Sequence, residues 1–103
     1  MIKELNHIGI RSAHMEASIA LYEKALGGRI IRDAQSLDGA SRFVYIQIGI
    51  GVLELISVKS EADEGFAHVA FLLDGAVDDA YERLKEQVRF TVLPKKAGSG
   101  DGR

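Results

Sequence analysis

The chain states one short pattern twice, and that echo constrains the fold more than any other feature. Leu5-Asn6-His7-Ile8-Gly9-Ile10 is apolar, small or polar, histidine, β-branched, small, apolar. Sixty-one positions on, Phe66-Ala67-His68-Val69-Ala70-Phe71 repeats the plan. Tyr22-Glu23-Lys24 follows the first copy and Tyr81-Glu82-Arg83 the second, with His-to-Tyr spacings of 15 and 13. Self-similarity at this period means two units of one architecture, each opening with a histidine inside an apolar strand.

In the first unit, Leu5 to Ile10 reads as a strand in which His7 shares a face with Leu5 and Gly9. Met15, Ile19, Tyr22 and Leu26 fall at i, i+4, i+7 and i+11, one helical stripe, with Ser12 as the expected N-cap. Gly27-Gly28 ends the helix. Strands follow over Arg29 to Ala34, Arg42 to Ile48 and Val52 to Val58. They are joined by a turn at Asp38-Gly39 and another at Gly49-Ile50-Gly51. After a polar linker at Lys59 to Gly65, a strand over Phe66 to Leu73 opens the second unit. Asp74 is the expected cap of a helix striped by Val77, Ala80, Tyr81 and Leu84. A strand over Val88 to Leu93 and a basic, glycine-rich loop over Lys95 to Arg103 complete the chain.

The reading is thus one domain over residues 1–103: a first unit of strand, helix and three strands (1–58), and a second unit (66–103) that stops two strands short. Missing strands leave unpaired edges and half a core, so pairing with a second copy into a homodimer is expected. Thirteen basic against fifteen acidic residues give no electrostatic case for nucleic acid or an anionic membrane. Cysteine is absent, which excludes disulfides and thiolate ligands. No apolar run nears the roughly 20 residues of a membrane span, and the charged N-terminus does not resemble a signal peptide. The expected setting is the cytoplasm.

His7, Glu54 and His68 carry the chemistry. A strand histidine, taken singly, is ordinarily a satisfied core or edge residue, and Glu54 alone could be a solvated edge. Together they say more. A carboxylate between Leu53 and Leu55 needs a partner, and its strand offers no lysine or arginine. A pseudo-twofold brings equivalent positions together, so the two histidines can meet near its axis. Imidazole and carboxylate suit Zn, Ni, Fe, Co or Mn as a divalent ion. His14 has no counterpart in the repeat and reads as surface; Tyr22 and Tyr81 read as packing between helix and sheet.

These residues, with Ser18-Ile19-Ala20-Leu21-Tyr22-Glu23-Lys24-Ala25-Leu26-Gly27 and Leu53-Glu54-Leu55, resemble the vicinal oxygen chelate superfamily of glyoxalases, bleomycin-resistance proteins and extradiol dioxygenases. The similarity is nearest to its lactoylglutathione lyase-like and methylmalonyl-CoA epimerase-like members. The resemblance implies an α+β fold: two βαβββ units in a half-open mixed-sheet barrel, the second unit here incomplete at the C-terminus. It places His7, Glu54 and His68 on three of four metal-ligand positions; the fourth falls on a strand absent from this sequence. It further implies a metal-dependent lyase or isomerase that acts on a small substrate with vicinal oxygens through an enediolate. Glu54 would be the catalytic base and Arg11 a substrate contact. Two other readings come from the same superfamily: a metal-free drug- or metabolite-binding protein, and an iron-dependent extradiol dioxygenase.

Overall fold

The structure is a computed structural model, and it describes residues 1–89. The chain forms two compact units, Asn6–Ala70 on the one hand and Met1–Leu5 with the chain from Phe71 onward on the other. The architecture is α+β, as expected. Strands β1 (Ile2–Ser12), β2 (Arg29–Gln35), β3 (Arg42–Ile48), β4 (Gly51–Ser57) and β5 (Gly65–Leu73) form one open mixed sheet in the order β2-β3-β4-β1-β5. β1 and β4 run parallel, whereas β2 with β3 and β3 with β4 are antiparallel. A parallel neighbour requires a crossover, and here the helix with β2 and β3 supplies it.

Within Asn6–Ala70 the helix begins as α1 (Met15–Ile19) and widens into a π-helical segment (Ala20–Ala25). Ile19 from α1, Val44 and Ile46 from β3, and Leu55 from β4 make the buried core. Ile10, Met15, Tyr22, Ile30 and Leu53 pack against it. Full burial of such side chains stabilises by about 1.5–3 kcal/mol each. The widened turn alters the expected stripe. Leu26 N–H bonds to Leu21 O, five residues back, at 3.0 Å. That wider winding rotates Leu26 off the face begun by Met15 and Ile19, and it is 57% exposed. The chain then reverses at Gly27, whose φ of 79° favours glycine.

Ser12 does not cap the helix. It is the buried last residue of β1; its Oγ accepts the His14 N–H at 3.1 Å and lies 2.8 Å from Ser18 Oγ. His14 takes the cap position with no side-chain cap bond. The connection from Ser36 to Ser41 turns as expected, with Asp38 accepting from Ser36 Oγ and the Ala40 N–H and with Gly39 at a φ of 72°. The Lys59–Gly65 linker contains a single 3₁₀ turn, Glu61–Asp63.

In the other unit, helix α2 (Val77–Leu84) follows β5 with the expected stripe. Val77, Ala80, Tyr81 and Leu84 face Met1, Ile2, Phe71 and Leu73 across an apolar pocket of about 290 Å³. Ala76, not Asp74, is the cap, and the Asp74 carboxylate instead meets the Met1 amino group at 3.1 Å. Of the strand expected over Val88 to Leu93, Val88 and Arg89 are described and are not in a strand. The rest of it, and the Lys95 to Arg103 loop, lie outside the described residues.

Candidate metal centre

The site is built on the sheet face opposite the helix. Glu54 on β4 stands beside Gly9 on β1 and opposite Tyr45 on β3. His7, two residues before Gly9, shares the Gly9 face. The His68 ring, from β5, crosses over Gly9: a Cβ there would lie 2.7 Å from its Cε1 and 2.8 Å from its Nε2. Glycine at position 9 is therefore what lets the second histidine reach the first. Tyr45 walls the other side, its ring edge-on to His7 with centroids 5.4 Å apart.

Three atoms converge. His7 Nε2 lies 3.1 Å from Glu54 Oε1, His68 Nε2 lies 2.9 Å from the same oxygen, and the two nitrogens are 3.1 Å apart. The Glu54 side chain is 7% exposed, that of His7 11% and that of His68 44%. Among the described residues the ion-pair partners of this buried carboxylate are the two histidines.

Proton chemistry shows what the triangle suits. His7 Nδ1 lies 2.6 Å from Asn6 Oδ1, so Nδ1–H donates outward and the Nε2 lone pair faces the cluster. An imidazole nitrogen either donates or accepts, and a carboxylate oxygen only accepts. With Glu54 ionised, no placement of protons satisfies all three contacts at once, because both nitrogens must then donate to the oxygen and the pair of nitrogens is left donor against donor. A cation does, because each atom then offers it a lone pair. The edge lengths fit as well. Ligands about 2.1 Å from a shared ion are about 3.0 Å apart in cis-octahedral positions and about 3.4 Å apart in tetrahedral ones. His7, Glu54 and His68 can therefore hold a divalent metal ion.

The remaining sequence-predicted residues lie apart from this cluster. Arg11 Nη1 donates to Phe66 O at 2.8 Å, which ties β1 to β5. His14 pairs with Glu61 at 2.5 Å on the surface; that hydrogen bond and the Glu61 charge hold its pKa above the ordinary value. Sequence reasoning passed over Asn6 and Tyr45. Neither carries a motif; their roles appear only once the His7 ring has a direction.

The fold is thus an open mixed sheet that brings two histidines and a carboxylate within reach of one ion. The family model described as Glyoxalase/Bleomycin resistance protein/Dioxygenase superfamily matches residues 4–103, and the chain belongs to that superfamily. Solved structures agree on the fold. A variant methylmalonyl-CoA epimerase of Streptomyces coelicolor, in complex with 2-nitronate-propionyl-CoA, superposes with a TM-score of 0.74 at 21% identity. That match covers 97% of this chain and 84% of the other. Methylmalonyl-CoA epimerase from Mycobacterium tuberculosis gives 0.68 at 19% identity, covering 84% of this chain and 65% of its own. A hypothetical protein from Bacillus halodurans gives 0.68 at 20%, covering 81% and 67%.

Proposed function

We propose that this chain is a divalent-metal-dependent lyase or isomerase acting on a small molecule with two adjacent oxygens, through an enediolate. The observation that carries the reading is the His7–Glu54–His68 triangle, whose three contacts no arrangement of protons satisfies while Glu54 is ionised. His7 and His68 would hold the ion through Nε2 and Glu54 through Oε1. When bound, the ion supplies a Lewis acid that eases negative charge on the two oxygens. Asn6 keeps the His7 lone pair turned inward, Gly9 leaves room for the His68 ring, and Tyr45 closes one wall. Glu54 is the carboxylate the described residues bring to this point. It is the group proposed to take a proton from the substrate carbon and return it to the neighbouring one. The epimerases among the fold neighbours support this reading, since an epimerase inverts a stereocentre. Their whole-protein activity is not carried over at such identities.

The donor set favours one other reading. Two histidines and a carboxylate also suit iron-dependent oxygenases. In that case the iron-loaded protein would consume O₂ with a catechol, while the Zn²⁺ or Ni²⁺ forms would be inert.

Homodimer formation in the cytoplasm belongs to the same proposal. β5 is an outer strand of the sheet order and exposes Phe66 and Val69. No described helix is long and apolar enough to cross a membrane. A monomer mass by light scattering would remove the dimer.

The test is a calorimetric titration of metal-stripped protein with Ni²⁺, Zn²⁺ and Fe²⁺, beside His68→Ala. One ion per chain is expected, weakened about 100-fold or more in the variant. Absence of binding to the parent protein would sink the metal reading and favour the metal-free binder.

A further inference from the structure

Glu54 belongs to a row that crosses the sheet. Register sets Arg32 opposite Tyr45, Tyr45 opposite Glu54, and Glu54 beside Gly9, so the four share one face from β2 to β1. The Arg32 guanidinium lies over the Tyr45 ring, 5.7 Å from its centroid. That ring meets the His7 imidazole at 5.4 Å. Placed end to end, the two separations put the guanidinium at most about 11 Å from the imidazole.

Arg32 reaches this face through an irregularity in its strand. Ile30 pairs with Ile46, a core residue on the helix side. A regular strand would return Arg32, two residues on, to the helix side as well. The ladder instead skips Ile31 and pairs Arg32 with Tyr45. One extra residue inverts every side chain after it. Asp33 then faces the helix side, where Arg42 bonds it at 3.0 and 2.7 Å and reaches Glu16 on the helix at 2.7 Å. The bulge thus sorts the charges: an acid to the helix side, where a guanidinium meets it, and a cation to the metal side. Bulges recur beside active sites for this re-aiming of a side chain.

We propose that Arg32 is the anion anchor of the site, so that the substrate carries two adjacent oxygens at one end and a carboxylate or phosphoryl group at the other. This inference rests on the metal-site reading above. A neutral diketone or diol of the same size is then a weaker ligand.

Two synthetic chelators isolate the charge: glutaric monohydroxamate, which pairs two adjacent oxygens with a distal carboxylate, and the corresponding neutral amide. Each is titrated calorimetrically into Zn²⁺-loaded protein. The parent protein is expected to bind the acid about tenfold or more tightly than the amide. Arg32→Gln should erase that preference while leaving the amide affinity and the zinc titration unchanged. Arg32→Lys, which keeps the charge but not the fork, should retain part of it. Arg32 lies at the surface, so the unchanged zinc titration separates a lost anchor from a damaged site. If zinc binds but the parent protein does not favour the acid, or binds neither compound, the anchor is wrong and the metal site stands. The anchor is equally wrong if Arg32→Gln keeps the preference. If zinc does not bind at all, the metal-site reading falls first and the anchor with it.

Discussion

The two faces of β3 and β4 are built for different ends, although they alternate residue by residue along the same backbone. Val44 and Ile46 are fully buried against the helix, and Tyr45 between them stands beside His7. Leu53 and Leu55 pack with the core, and Glu54 between them closes the histidine triangle. The charges differ in the same way. On the helix side Asp33 and Glu16 are matched by Arg42. On the metal side the buried carboxylate meets, among the described residues, two imidazole nitrogens that also crowd each other at 3.1 Å. The period of two lets one strand carry a sealed core and an unsatisfied site without either intruding on the other. Stability and metal binding should therefore respond to different residues.

The largest effect should come from the sealed face. Leu55→Ala removes a fully buried side chain and should lower unfolding free energy by about 2–5 kcal/mol in urea titrations. The folded protein should still take one metal ion per chain. A folded Leu55→Ala that binds no metal would mean that the faces are not separable.

Gly9→Ala probes the other face. The new Cβ would lie 2.7 and 2.8 Å from the His68 ring atoms Cε1 and Nε2, so that ring must shift from its place in the triangle. Metal affinity should fall about 10–100-fold, the range typical of losing support around a ligand. Metal-free stability should change little. The sharper form is the double variant: Gly9→Ala added to His68→Ala should cause no further loss, because the ring it displaces is already gone. Additive losses would show that Gly9 acts by some other route.

Glu54→Leu makes the two faces alike. It removes a buried carboxylate and should leave the metal-free protein as stable or about 1 kcal/mol more stable. The parent protein should instead gain about 2.7 kcal/mol from metal at a hundred times its Kd, and the variant nothing. Loss of metal-free stability in Glu54→Leu would indicate that the histidines and glutamate already satisfy one another without a cation.

Much of this division was legible in the sequence. The repeat announced His7 and His68 as equivalents, and Leu53-Glu54-Leu55 marked a carboxylate in apolar surroundings. Strand β3 falls where β-branched and aromatic residues put it, from Arg42 to Ile48. What escaped were events of a single residue. Periodicity assumes constant winding, so the π-helical turn that exposes Leu26 and the bulge that turns Arg32 to the site face leave no signature in a stripe count. Ser12 looked like a cap because its hydroxyl can bond a backbone N–H, and it does bond one, that of His14, before the helix begins. Gly9 needed a partner 59 positions away before its missing side chain meant anything.

The smallest effect tests the paired charges of the sealed side. The Arg42 hydrogen bonds hold the Asp33 carboxyl below its ordinary pKa. A carboxyl depressed in the folded state adds stability that is present above its unfolded value, near 3.8, and lost as pH falls through the folded value. Asp33 is 44% exposed, so solvent screening limits the contribution to about 1 kcal/mol or less. Arg42→Met should therefore lie slightly below the parent protein in unfolding free energy from neutral pH down to about pH 5. The gap should close as Asp33 protonates in the folded parent. Metal titrations of the two proteins at pH 7 should coincide, because Arg42 acts on the helix side and the triangle lies on the other. A weaker metal titration in Arg42→Met would mean that the helix-side ion pairs hold the β2–β3 register on which the opposite face depends. The bulge at Ile31 would be the place to look for that coupling, since it decides which face Arg32 and Asp33 each take.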